Sequence, residues 1–244
     1  MDFTDDAIVL SARRHGEANA VLSVLTRAHG RHMGLVKGGT SRRQRPVLEI
    51  GNRLTVTWRA RLEEQLGNFT VEPVGAVSAL LLDDPLKLAA LGAACAVCDI
   101  VLPEREPHED VYQATLGLIA LVTGDEAHWA AGYVRWELAL LSALGFGLDL
   151  TRCAVTGDRQ DLAFVSPKTG RAVSRAGGQG YADRLLPLPR FLLENREPDR
   201  GDLLAGLRLT GYFLDRHVLH GPITDKRMEA RSRFIDRLAQ TTRA

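Results

Sequence analysis

Residues 53–61 alternate strictly: Leu54, Val56, Trp58 and Ala60 are apolar, while Arg53, Thr55, Thr57, Arg59 and Arg61 are polar. A period of two is that of a β-strand with one face in a core, so the three arginines are predicted to share the outer face. Apolar, β-branched segments precede it at residues 7–10, 20–26 and 31–37, broken by Arg14-His15-Gly16-Glu17 and by His29-Gly30. A fifth segment, residues 66–71, follows after a short connection. Five short strands with a glycine-containing basic loop between the third and fourth fit a small barrel. The OB-fold is the five-stranded barrel that commonly binds oligonucleotides.

Beyond Pro73 the pattern changes to helix. Residues 86–102, 110–122 and 129–144 are Ala/Leu-rich, with breaks at Pro103, Pro107 and Gly124. Trp129, Tyr133, Trp136, Leu140 and Leu144 recur at helical spacing, a stripe that reads as core rather than as a cofactor box. Residues 151–190 lose the periodicity, and their five glycines predict an irregular or small β insertion. Helix returns over 202–218, where Leu204, Leu207, Leu214 and Val218 share a face with Gly211. A last basic helix is expected over about 225–239, with Thr224 as its N-cap. The predicted fold class is α+β in two domains. Residues 1–80 form a five-stranded OB-fold barrel, and residues 81–244 form a helical domain carrying the insertion.

Charge changes this picture more than composition does. Between Arg27 and Arg61 stand nine Lys/Arg and one acid, Glu49, a net +8 over 35 residues in a chain whose formal charge is only +1. So concentrated a field attracts a polyanion, nucleic acid being the commonest. The bland alternative is a solvated face without a partner. Arg31, Lys37, Arg42, Arg43, Arg45, Arg53, Arg59 and Arg61 are the candidate DNA-binding residues. Gly38 and Gly39 allow a sharp turn among them, and the loop 38–45 is expected to have few apolar anchors and to be mobile without DNA. No apolar run approaches the roughly 18–20 residues of a membrane span, so no membrane partner is expected. The acidic start MDFTDDAIVL lacks the basic region of a secretory signal, and three cysteines make no disulfide framework. Both point to a cytoplasmic protein, and binding to DNA would make it nucleoid-associated.

Catalytic motifs are wanting. Lys37-Gly38-Gly39-Thr40 has the residue types of a phosphate loop in the wrong order, and neither G-x-S-x-G nor H-E-x-x-H occurs. His15, His29, His32, His217 and His220 fall at loops or element ends, where surface or capping roles are expected. Cys95 and Cys98 form a C-x-x-C without a second pair, inside a helix of buried type, and read as core. No enzyme and no cofactor are expected.

Arg135-Trp136-Glu137-Leu138-Ala139-Leu140-Leu141, then Leu144-Gly145-Phe146-Gly147 and Cys153, resemble the RecO family of recombination mediators. So do Gly16-Glu17-Ala18-Asn19, residues 26–30, and Val36-Lys37-Gly38 followed by clustered arginines. The resemblance runs nearly end to end. It implies an N-terminal OB-fold, a helical C-terminal domain, binding of single- and double-stranded DNA, and annealing of complementary strands. It also implies work with RecR to load RecA onto DNA coated by single-strand-binding protein, with RecF and RecA as indirect partners. The helical domain would receive the acidic C-terminal tail of single-strand-binding protein. Arg135 is one cation that could meet its carboxylates, against the alternative of an arginine paired with Glu137 or solvated. Many members of the family carry a four-cysteine zinc motif after the helix end. Here Cys153 stands alone, with Thr156 where a second would be, so no metal is expected and packing must hold the insertion. The rival reading is a protein-interaction module whose basic barrel meets an acidic protein rather than DNA.

Overall fold

The computed structural model describes residues 1–62, 64–125, 127–194, 196–217 and 228–241. Strands β1 (Asp2–His15), β2 (Asn19–Thr26), β3 (Arg31–Val36), β4 (Arg53–Arg59) and β5 (Asn68–Gly75) close into a barrel in the order β1-β2-β3-β5-β4. All seams are antiparallel except β3–β5, which meet in parallel at Leu35 and Asn68. This is the five-stranded OB-fold arrangement.

The alternation of β4 holds: Leu54, Val56 and Trp58 are buried, and Arg53 and Arg59 are exposed. Leu54, Val56 and Trp58 join Ala7, Val9, Leu22, Val24, Val36 and Phe69 inside the barrel. In β1 the run Ala7-Ile8-Val9-Leu10 is buried throughout, because Ile8 and Leu10 point away from the barrel core while α2 packs on this strand. A strand covered on both faces reads as a continuous apolar run. Gly34 has no side chain for a reason of space. A Cβ there would lie 2.5 Å from the Phe69 ring, which fills that part of the core.

Helix α1 (Val77–Leu80) is a single turn. Helix α2 (Pro85–Val101) starts under Asp84, whose carboxylate accepts from the backbone N–H groups of Leu86 and Lys87, with Pro85 at the first helical position. Cys95 and Cys98 are fully buried in α2, and burial pushes both thiols up, Cys98 to about 12. Helices α3 (Glu109–Thr123) and α4 (Trp129–Ala143) follow.

The chain divides near Asp125 into two compact units. The first holds the barrel with α1 to α3. In the second, Trp129, Tyr133, Trp136 and Leu140 of α4 are buried, and α4 packs on α5 (Arg200–His217). Gly206 permits that approach, since a Cβ there would meet Val134 at 2.9 Å. The insertion is a three-stranded sheet, β6 (Leu162–Val165), β7 (Ala172–Ser174) and β8 (Leu186–Pro187), in the order β7-β6-β8. The last helix is described as α6 (Glu229–Gln240). Val218, His220, Thr224 and the expected start of that helix lie outside the described residues.

Candidate nucleic-acid interface

The connection between β3 and β4 turns at Gly38, whose φ of +68° suits glycine, and is then pinned to the β1–β2 turn. The Gly38 N–H donates to Asn19 Oδ1 at 3.1 Å, and Thr40 donates through its N–H to the Ala18 carbonyl (3.1 Å) and through Oγ1 to the Glu17 carbonyl (3.2 Å). Further on, Leu48 is buried in the barrel core with Val47 packed against it, and the buried Asn52 donates to the Pro46 carbonyl at 2.9 Å. Within 38–45 the ties are these polar bonds, and the two apolar residues after Pro46 anchor the segment that follows. What stays exposed on the connection is the cationic set, Lys37, Arg42, Arg43 and Arg45.

Two arginines that sequence reasoning passed over join this set. Strand β1 runs on to His15 and carries Arg13 and Arg14 to the loop, where a cleft of about 490 Å³ is lined by Arg13, Arg14, Thr40, Arg45 and Glu49. The Arg14 Nε donates to the Gly16 carbonyl at 3.1 Å, which fixes its direction. Adjacent arginines in Ser11-Ala12-Arg13-Arg14 were the available signal, hidden because residues 14–17 read as a break.

The β4 arginines sit elsewhere. Arg53 and Arg59 are six residues apart, roughly 20 Å along a strand, and Arg61 is exposed past its end. Their face is charge-balanced, because β1 lays the acidic start of the chain beside β4. Arg59 Nε lies 3.9 Å from Asp2 Oδ2, and Thr55 Oγ1 donates to Asp6 Oδ1 at 3.4 Å. Thr4 and Thr57 share a hydrogen bond of 3.0 Å, and Glu72 of β5 stands opposite Thr55. Arg31 is bonded toward α2. Its Nε donates to the Leu102 carbonyl at 2.8 Å, and Nη1 lies 3.8 Å from Asp99, which also accepts from Ser11 and Ser23. It fastens the barrel to α2.

At the end of the barrel that carries Arg59, Phe3, Trp58 and Phe69 stand in register across β1, β4 and β5. His32 packs edge-on to all three, with ring centroids 5.0, 4.7 and 6.1 Å away. The surface role expected of His32 is corrected: the ring is 4% exposed and neither nitrogen has a hydrogen-bond partner. Burial first, then Arg105 and other nearby cations, lower its pKa from 6.5 to about 4. His29 stacks on Phe3 at 3.9 Å with Nδ1 2.8 Å from Asp5 Oδ2.

In the second unit Arg135 donates to the Phe191 carbonyl at 2.8 Å, its guanidinium 5.5 Å from that ring's centroid, and the buried Glu137 accepts from Thr210. His217 ends α5, stacked on Phe146. Cys153 Sγ accepts four hydrogen bonds, from the N–H groups of Val155 and Thr156 (both 3.4 Å) and from the N–H and hydroxyl of Ser174 (3.2 and 3.3 Å). Burial pushes this thiol up, and the bonds from Ser174 and Thr156 outweigh it and hold it at about 6. A side chain at Gly177 would begin 2.8 Å from the sulfur. One sulfur ringed by N–H and O–H donors does not fit zinc, which takes four nitrogen, sulfur or carboxylate ligands. Among the described residues no cluster of His, Cys, Asp and Glu could hold a metal ion, and no helix is long and apolar enough to cross a membrane.

Two family models match this chain: recombination protein O N terminal over residues 1–77, and recombination protein O C terminal over residues 82–227. The DNA repair protein RecO of Rhodospirillum centenum is 53% identical over 242 residues, covering 97% of this chain and 94% of its own. The RecO proteins of Phenylobacterium zucineum and Rhodospirillum rubrum are 50% and 49% identical, covering 100% of this chain and 100% and 99% of theirs.

Proposed function

The chain belongs to the RecO family of DNA repair and recombination proteins, and from that premise we propose that it is a non-enzymatic recombination mediator which grips DNA by the phosphate backbone. The observation that carries this reading is the cleft that Arg13, Arg14 and Arg45 line with Thr40 and Glu49, with Lys37, Arg42 and Arg43 exposed on the same β3–β4 connection. Guanidinium groups match phosphate oxygens in bidentate geometry and stay charged at any working pH. Each phosphate they neutralise releases condensed counterions, so affinity falls steeply with salt.

Annealing follows from the same electrostatics. A surface that holds two strands neutralises their repulsion and raises their local concentration. In this reading the partners are single- and double-stranded DNA, RecR, and the acidic tail of single-strand-binding protein, with RecF and RecA engaged indirectly. The tail would dock on the helical domain, but Arg135 is already held by Phe191.

The test is equilibrium binding of single-stranded and duplex oligonucleotides to the full chain across a salt series. Log K should fall with log salt at roughly 0.7 per phosphate contact for single strands and roughly 0.9 for duplex. A shallow slope with weak binding at low salt would instead favour a barrel that meets an acidic protein.

A further inference from the structure

The first 80 residues contain three Phe, Tyr or Trp side chains, Phe3, Trp58 and Phe69, and all of them gather at one end of the barrel with His29 and His32. Beside them opens a cavity of about 350 Å³ lined by Phe3, His29, His32, Trp58, Arg105 and Pro107. We propose that this cavity is a subsite for one unpaired nucleobase of a bound single strand, a proposal that rests on the DNA-binding reading above.

Three features point to a planar heterocycle. The cavity is of ligand-pocket size, and the rings of Phe3, His29, His32 and Trp58 line it beside Asp2 and Arg105. It contains His32, a buried polar group with both ring nitrogens unpartnered, which is costly in a finished core and is resolved when a ligand bonds to them. A neutral imidazole offers one donor and one acceptor on divergent sides of the ring, so the edge of a base can meet one of the two. The rim is also strained. Arg105 adopts φ +65°, unusual for a residue with a side chain, and its N–H donates to the Arg31 carbonyl at 2.7 Å. Its guanidinium lies 5.7 Å from the Trp58 ring centroid, donates to the Gln65 carbonyl at 2.9 Å and lines the cavity. A base in a duplex is paired and stacked and cannot enter, so the subsite would select single strands.

The experiment compares, on the full chain, an oligothymidine strand, an abasic strand with the same number of phosphates, and a duplex. The wild type should bind the base-bearing strand about tenfold tighter than the abasic one, within the range for one base on an aromatic platform. His32→Leu and Phe3→Ala should each close that gap and leave duplex affinity unchanged. Equal binding of the two single strands by the wild type would overturn the subsite while leaving backbone binding standing. Loss of salt-dependent binding to all three would overturn both readings. Tryptophan quenching by a peptide ending in phenylalanine, and not by thymidine monophosphate, would give the cavity to a protein ligand and overturn the proposal.

Discussion

His32 pairs a neutral, low-pKa imidazole with a position 4% exposed to solvent, and the combination makes it a pH liability. Between its ordinary pKa of 6.5 and the folded value of about 4, the unfolded chain takes up a proton that the folded chain refuses. Its contribution is therefore fully present above pH 6.5 and is lost as the pH falls toward 4, a change of roughly 2–3 kcal/mol. Thermal unfolding of the wild type and of His32→Leu from pH 7.5 to 4.5 should show the variant losing less stability on acidification. Parallel curves would assign the acid loss to the carboxylates alone. The inward direction of His32 could not be read from Arg31-His32-Met33-Gly34-Leu35-Val36. Its buried face carries His, Gly and Val, and its outer face carries Met and Leu, so hydropathy barely alternates although burial does.

Strand β4 was legible because its two faces differ in chemistry, valine and tryptophan against arginine and threonine. Strand β1 was only partly legible: its apolar centre stands out, while Asp2–Asp6 and Ser11–His15 look like polar flanks yet are paired along their length. Charge counted along a window cannot see such register. It counted Arg53 and Arg59 without the acids that register lays beside them, Asp2, Asp6 and Glu72, and it left out Arg13 and Arg14, which line the cleft. The two sets should therefore differ. Replacing Arg13, Arg14 and Arg45 with Ala should lower the salt slope of duplex binding by roughly 2–3 units, whereas Arg53→Ala with Arg59→Ala should change it by less than about one. The reverse ranking, in a salt titration of both variants, would place the backbone track on β4.

At the scale of the molecule, the order of barrel, helices and insertion was legible because periodicity runs at two in the barrel strands and near 3.6 in the helices, and is lost between α4 and α5. What a local reading cannot supply is which segments meet. The approach of Arg14 to Thr40, of Phe3 to Trp58 and of Cys153 to Ser174 is a property of closure, not of any window of sequence.

Closure itself is uneven. The β3–β5 seam is a single parallel pairing at Leu35 and Asn68, supported by the Leu35 N–H donating to the Gly67 carbonyl at 3.0 Å, while every other seam is laddered along most of its strands. The barrel is thus a ring with one clasp, and thermal breathing concentrates there because so few backbone bonds must break together. In native-state hydrogen exchange the Leu35 amide should open at least about tenfold more often than the amides of Val24 and Val56. Phe69, seated over Gly34 beside this clasp, would move with each opening, so the aromatic end of the barrel would pulse while the arginine cleft, held by the laddered β1–β2 pair and the loop bonded to its turn, keeps its shape.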